Sequence, residues 1–257
     1  MDVIARFSLD GKRAFVTGGA GDIGSAIAVA MAEAGADVAV LDVDVDGAEK
    51  VADRVRRVGR RAVAIRCDVT RVDEVDAAID QVVATLGGLE IAVNNAGIVR
   101  NVPAAEMSAE EWESVLAVNL RGVFLCARRA GQFMLARPGG GSILNTASMS
   151  ARVVNHPQPQ CSYNASKAGV VQLTKSLASE WAGDGIRVNS LSPGYTMTRL
   201  TSTRELAPLR DEWIALTPLG RMAHVDDLTG PAVFLVSDAA RYVTGHDLVV
   251  DGGYTLR

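Results

Sequence analysis

The chain has no Cys-x-x-Cys unit. Its three cysteines, Cys67, Cys126 and Cys161, are scattered, which argues against both a zinc site and a disulfide framework. The three histidines, His156, His224 and His246, are too dispersed to suggest a metal site, so no metal is expected. Cationic charge is not in excess: 26 Lys and Arg against 30 Asp and Glu leave a formal charge of −4, which argues against nucleic acid as a partner. Long apolar runs are missing as well. No uninterrupted segment approaches the ~18 residues of a membrane span, and no basic stretch leads into an apolar one as in a secretory signal. The expectation is a soluble, cytoplasmic protein with no membrane partner. Cys161 stands close to Tyr163, where a small apolar filler is favoured over a nucleophile.

What the chain does have is apolar content: 48% of its 257 residues are hydrophobic, enough for a sizeable core. Apolar, β-rich runs alternate with longer amphipathic ones, the signature of a parallel sheet with helices on both faces. Strands are expected at Arg13–Thr17, Asp37–Asp42, Ala62–Cys67, Ile91–Asn94, Ser142–Thr146, Arg187–Leu191 and Leu248–Val250. Helices fill the gaps, with sheet-covering apolar spacing from roughly Val72 to Leu86 and from Glu110 to Ala136. No repeat, low-complexity tract or linker divides the chain. One doubly wound α/β domain over 1–257 is expected, with a glycine-rich half over about 10–145 and a second half over about 146–257.

Two constellations carry chemistry. In the first, the strand Arg13–Thr17 runs into Gly18-Gly19-Ala20-Gly21-Asp22-Ile23-Gly24 before an apolar helical run from Ser25 to Ala34. Glycines let the backbone turn tightly and approach a pyrophosphate, whose charge the N–H groups and dipole at the helix start favour. The second strand ends in Asp42, roughly 20 residues on, where a carboxylate can accept from ribose hydroxyls and would repel a 2′-phosphate. NAD is therefore favoured over NADP; an ordinary loop carboxylate is the alternative.

In the second constellation, Tyr163 and Lys167 stand four apart, so that on a helix phenol and ammonium share a face. A free phenol ionises near pH ~10, and lowering that by about three units takes roughly 4 kcal/mol. A neighbouring ammonium and a cationic nicotinamide ring supply that together, making the phenol an acid or base near neutrality. The Ser148 hydroxyl upstream can hydrogen-bond a substrate carbonyl or alcohol. A Tyr-x-x-x-Lys spacing also arises by chance on helices; its company with the glycine turn is what lends it weight.

These residues resemble the short-chain dehydrogenase/reductase family, and the likeness extends along essentially the whole chain. Thr17-Gly18-x-x-x-Asp22-Ile23-Gly24 matches that family's Thr-Gly-x-x-x-Gly-x-Gly turn, and Asn94-Asn95-Ala96-Gly97 its Asn-Asn-Ala-Gly motif after the fourth strand. Asn119, Ser148, Tyr163 with Lys167, and Pro193-Gly194 follow in family order. The resemblance implies a Rossmann-type fold and a catalytic set of Asn119, Ser148, Tyr163 and Lys167, with Asn119 holding a water that extends the proton path. It implies a cofactor site of Gly18, Gly21, Asp22, Ile23 and Gly24 at the turn, and Asp42 at the ribose. Asp68 and Val69 would lie at the adenine, with an Asp opening the next helix as the alternative. Asn95, Ala96 and Gly97 would pass beneath the nicotinamide side, Tyr163 and Lys167 would bound it, and Pro193, Gly194, Thr196 and Thr198 would hold the carboxamide. Asp22 departs from the pattern, standing where the family has its middle glycine; it is expected to cap the following helix through its side chain. The resemblance also implies a homotetramer built through the helices after Glu110 and around Tyr163, with Tyr254–Arg257 near a neighbour's pocket.

The substrate side rests on Ser150 to Cys161, rich in polar groups such as Asn155, His156, Gln158 and Gln160, and on Tyr195 to about Thr217, which reads as a mobile lid. Ser148, Ser150, Asn155 and Tyr195 are the expected substrate contacts. Polar groups around a small pocket suit a polyhydroxylated substrate, since an unpaired amide beside an acyl chain is costly. The pattern resembles the family's sugar-alcohol dehydrogenases, so the expected activity is NAD-dependent interconversion of a polyol and a ketose. A 3-oxoacyl thioester reductase of the same family is the nearest rival, and a catalytically silent nucleotide-binding protein the second.

Overall fold

Short strands flanked by helices on both sides must be apolar on both faces, and those of this chain are. The computed structural model describes residues 2–199, 201–203 and 206–256. Its strands are β1 (Arg13–Thr17), β2 (Asp37–Asp42), β3 (Ala62–Arg66), β4 (Ile91–Asn94), β5 (Gly141–Thr146), β6 (Ile186–Pro193) and β7 (Asp247–Val250). They form one parallel sheet in the order β3-β2-β1-β4-β5-β6-β7. The chain works outward from β1 to β3, then returns to place β4 on the other flank of β1. At that switch point the loops leaving β1 and β4 part in opposite directions and open a crevice at the carboxyl ends of the strands.

Side chains two apart share a face. Ala14, Val16, Val38, Val40, Ile91, Val93 and Leu144 join one core, and Phe15, Ala39, Leu41, Ile65, Ala92 and Ile143 the other. The helices are α1 (Asp22–Glu33), α2 (Val45–Arg57), α3 (Val72–Leu86), α4 (Ala109–Leu116), α5 (Val123–Leu135), α6 (Cys161–Trp181), α7 (Ala207–Leu216) and α8 (Thr229–Val236). α1, α2 and α8 cover the first face through Ile27, Met31, Val51, Val55 and Leu235, while α3, α5 and α6 cover the second through Ile79, Val82, Ala130, Met134 and Leu177. No described helix is long and apolar enough to cross a membrane, and no described cluster of His, Cys, Asp and Glu could hold a metal ion.

Several elements depart from the expected bounds: β5 begins at Gly141 rather than Ser142 and β7 at Asp247 rather than Leu248. β3 ends at Arg66 rather than Cys67, and β6 reaches from Ile186 to Pro193, beyond both expected ends. The helix expected unbroken from Glu110 to Ala136 starts at a reciprocal Ser108–Glu111 capping box, then winds as a π-helix over Ala117–Gly122 before α5 resumes. Helix α1 begins at Asp22, with Gly21 as its N-cap and no side-chain cap; Asp22 therefore does not cap the helix as expected. Of the expected lid, positions 200, 204 and 205 lie outside the described residues, as does Arg257 of the expected tail.

Candidate active site

The turn between β1 and α1 is fixed by exclusion. Gly18 has φ 62°, and a Cβ there would meet the Ala96 Cα at 2.8 Å; at Gly24 it would lie 2.3 Å from the Gly18 carbonyl oxygen and 2.6 Å from the Asn95 amide nitrogen. Side chains would also push off whatever the turn cradles, so the arrangement fits a dinucleotide laid along the backbone. The Asn95 amide donates to the carbonyls of Thr17 and Gly18, and the Thr17 hydroxyl accepts from the N–H groups of Asn95 (3.0 Å) and Ala96 (3.2 Å). Asn95 and Ala96 are thereby stitched to the glycine turn. Ile23 packs against the core beneath it.

Asp42 holds the same turn from the other side. Its carboxylate accepts from the Ala20 N–H at 2.9 Å and the Asp44 N–H at 3.0 Å, which fixes a negative charge at the end of β2. Asp22 turns away from its own helix: its oxygens accept from the Arg199 main-chain N–H (2.6 Å) and Nε (2.9 Å), while Arg199 Nη2 donates to the Ala20 carbonyl. Asp68 closes a small turn by accepting from the N–H and hydroxyl of Thr70, and helix α3 starts at Val72 with Arg71 as its cap. Val69 is buried, with its side chain against Gly122.

Helix α6 carries the candidate proton-transfer pair. A buried ladder anchors that helix to the sheet: the Asn94 amide donates to Asn145, whose amide donates to the Thr174 hydroxyl. Lys167 is 3% exposed and its Nζ donates to the Thr146 carbonyl at 2.7 Å, 5.6 Å from the centroid of the Tyr163 ring. Burial pulls the amine down to about 8. An ammonium has three donors, and one hydrogen bond to the described residues leaves two for ribose hydroxyls. Burial pushes the half-buried Tyr163 phenol above its ordinary value, and a hydrogen bond with Ser148 works in the opposite sense. The lowering expected from Lys167 and a cationic nicotinamide ring together is thus not a property of these two side chains alone; burial sets the direction.

Asn119 sits in the π-helical stretch and is fully buried. Its Oδ1 accepts from the Ile98 N–H at 2.8 Å, and its two amide protons go to the Ile98 carbonyl and the Ser166 hydroxyl. Both N–H groups are therefore spent, which leaves the oxygens for any water of the implied relay. An added Cβ at Gly97 would lie 3.4 Å from Asn119 Oδ1 and 3.5 Å from Lys167 Nζ. Asn119, Gly97 and Lys167 thus meet at one point.

On the substrate side the expected contacts join in one network. Ser148 donates to Ser150 (3.0 Å), Ser150 to the Asn155 carbonyl oxygen, and the Asn155 amide to the Tyr195 hydroxyl (3.1 Å), which itself donates to Gln158. Gln160 donates to both Asn155 and Asn164. Tyr195 stacks on Trp213 at 4.2 Å and meets Tyr254 edge-on at 5.3 Å, and burial pushes its phenol up to about 12. Trp213, read as part of an exposed lid, is 1% exposed and anchors α7 instead. Gly194 follows β6 where a Cβ would meet the Asp251 Cα at 2.6 Å, and beyond Pro193 the Thr201 hydroxyl donates to the Thr196 carbonyl and pairs with Thr198.

Arg199 and Thr201 are the site residues that sequence reasoning did not single out; Thr17, Gln160 and Trp213 are legible in the sequence as parts of the glycine motif, the polar stretch and the lid, without the contacts they make. A cleft of about 440 Å³ lies beside Asp22, Thr198, Arg199 and His224, between the glycine turn and the loop after β6.

Known proteins resemble this chain over essentially its whole length. Residues 18–255 match a family model described as Enoyl-(Acyl carrier protein) reductase. D-threitol dehydrogenase of Mycolicibacterium smegmatis is 46% identical over 98% of this chain and 95% of its own. Galactitol 2-dehydrogenase (L-tagatose-forming) of Cereibacter sphaeroides is 43% identical over 100% of both. Among solved structures, a short-chain type dehydrogenase/reductase from Mycobacterium marinum superposes with a TM-score of 0.97 at 46% identity, covering 100% of both chains. A gluconate 5-dehydrogenase from Burkholderia cenocepacia, in complex with NADP and tartrate, does so with a TM-score of 0.93 at 39% identity and the same coverage.

Proposed function

The chain belongs to the short-chain dehydrogenase/reductase family, and on that premise we propose that it transfers a hydride between NAD and a polyol/ketose pair, oxidising a secondary alcohol to a ketone. The observation that carries this is the buried Lys167 amine, bonded to the Thr146 carbonyl at the end of β5 and lying beside the Tyr163 ring, with buried Ser148 two residues beyond Thr146, all at the carboxyl ends of the strands next to the glycine turn. The nicotinamide ring, when bound, accepts or returns the hydride. Tyr163 Oη exchanges the alcohol proton, Ser148 orients the reacting oxygen, and Lys167 favours the phenolate and holds the ribose. Asn119 fixes the loop carrying Gly97 and Ile98 against α6 and so sets where Lys167 sits. Because burial raises the phenol, oxidation is favoured by raising the pH and reduction by lowering it. Residues from about 10–145 supply the cofactor side of one domain and those from about 146–257 the substrate side; Asn119 and Thr198 cross that division.

A polyol is favoured because the hydroxyl and amide groups of Ser150, Asn155, Gln160 and Tyr195 orient one another and keep spare lone pairs for substrate hydroxyls. Such groups suit an acyl chain poorly. The similarity to threitol and galactitol dehydrogenases supports the same reading. NAD is favoured over NADP because Asp42 is pinned by two backbone donors and would face a 2′-phosphate with a fixed negative charge, although a relative of known structure holds NADP. Asp42→Ala should shift the NAD to NADP preference about tenfold towards NADP; unchanged preference would remove Asp42 from the site.

The protein is proposed to act in the cytoplasm, where its free thiols suit a reducing medium, and as a homotetramer. An apolar groove of about 580 Å³ bordered by Leu116, Leu120, Phe124 and Leu173 supports assembly through α4, α5 and α6, which light scattering will test. For the activity, nicotinamide absorbance is followed with NAD or NADP and threitol, galactitol, mannitol or sorbitol, and with NADPH and an acetoacetyl thioester. Turnover confined to the polyols is expected. Turnover of the thioester alone would establish the carrier-type reductase, and none in any arm a silent protein.

A further inference from the structure

We propose that Arg199 is a positioning residue for the dinucleotide, screening the Asp22 carboxylate from the pyrophosphate and tying the loop after β6 to the glycine turn. The proposal rests on the nucleotide-binding reading given above. Asp22 is the first residue of α1, at the end of the helix where exposed N–H groups favour a phosphate. A carboxylate there brings a like charge to the place where two phosphates are held, in the position that the family motif gives to glycine. An anion at a helix start is favourable for the helix and unfavourable for a second anion beside it.

The structure shows what offsets that charge. Arg199 lies 177 residues further on, yet its main-chain N–H and Nε reach one Asp22 oxygen each, at 2.6 and 2.9 Å, and its Nη2 reaches the Ala20 carbonyl at 2.9 Å. Ala20 is the residue whose N–H is held by Asp42. One turn of chain is thus gripped at its N–H by the ribose-side carboxylate and at its carbonyl by the guanidinium. The Arg199 side chain is 75% exposed and that of Asp22 29%, so the pair contributes little to global stability. Its consequence lies in the local field and in the placement of Thr196 and Thr198, which precede Arg199 on the same loop. The cleft beside Asp22, Thr198 and Arg199 gives the screened carboxylate a face towards a ligand.

Two measurements test this, neither depending on substrate. NADH affinity is read by fluorescence titration for the wild type and for Arg199→Ala, Asp22→Gly, Arg199→Lys and the Asp22→Gly/Arg199→Ala double variant. Arg199→Ala should weaken NADH about tenfold, whereas the same substitution in the Asp22→Gly background should change affinity by less than about threefold relative to Asp22→Gly alone, because no carboxylate remains to be screened. Arg199→Lys, which keeps the charge, should recover most of the loss. An Arg199→Ala effect below about threefold, or one equally large in the Asp22→Gly background, overturns the proposal. In the nucleotide-free protein, tryptic cleavage after Arg199 should be several-fold faster in Asp22→Gly than in wild type; an equal rate overturns the tie between loop and turn. If the wild type binds no nicotinamide nucleotide, the cofactor reading falls, while the proteolysis arm still decides the pairing.

Discussion

The two rims of the catalytic cleft are made of different material. On the dinucleotide side the wall is backbone: Gly18 at φ 62°, Gly24 with no room for a Cβ, and two N–H groups gathered by the Thr17 hydroxyl. Across the cleft the wall is side chain, a run of hydroxyls and amides from Ser148 through Ser150 and Asn155 to Tyr195. The first rim tolerates no added atom; the second depends on each partner being present. A backbone wall accepts any ligand with the right charge and shape, so it suits a cofactor used for every turnover. A wall of mutually satisfied polar groups is particular about where hydroxyls lie and so suits discrimination among substrates.

Substitutions can break this division, and the largest effect is expected where the rims meet. Tyr163→Phe should cost about a thousandfold in kcat, roughly 4 kcal/mol, while NADH affinity stays nearly intact; a variant with full rate would place the acid/base group elsewhere. Gly24→Ala forces a methyl onto the Gly18 carbonyl and should cost about 3 kcal/mol in a thermal melt, with NADH affinity lost alongside. Normal binding in Gly24→Ala would show that the first rim is less rigid than its contacts imply. Asn155→Ala removes a donor from Tyr195 and an acceptor from Ser150 and Gln160, and should cost about 2 kcal/mol, read as a higher KM for the polyol at unchanged NADH affinity. If NADH binding weakened instead, the two rims would not be separable.

The smallest effect concerns the amine shared by both rims. Burial depresses Lys167 from its ordinary value to about 8. Below that pH both folded and unfolded chains carry the charge, and its burial is a constant cost. Between about 8 and the unfolded value the unfolded chain binds more protons, so stability rises with pH across that window. Lys167→Met should therefore melt higher than wild type at neutral pH, by on the order of 1 kcal/mol after losing the bond to Thr146, and the gap should close as pH climbs. A gap independent of pH would mean that the buried amine titrates as it does in the unfolded chain and that its burial does not depress it.

Strands and the parallel sheet were readable because residues buried on both faces leave continuous apolar runs, and Asn94 to Gly97 were readable because small residues end β4. The glycine turn was legible for the same reason that it works: a backbone wall must be written in glycine. What could not be read is what side chains do at long range. Asp22 looks like a local cap, but its carboxylate is drawn to Arg199 across 177 residues of chain. The polar stretch from Ser150 to Gln160 announced a wet pocket without showing that its members satisfy one another, and Trp213 looked like surface because its neighbours in sequence are charged. The π winding over Ala117–Gly122 left no mark, since the apolar spacing on either side of it is that of an ordinary helix.

That winding has an arithmetic consequence. A π turn closes its hydrogen bonds one residue later than an α turn, so the segment holds a residue that an α-helix of equal span would omit. Each residue of an α-helix rotates by about 100°, so removing that surplus would regularise the rod while changing the azimuth of Asn119 relative to Leu125, Ala127 and Met134 on the sheet. A one-residue shortening here would therefore mend a helix and unhinge Ile98.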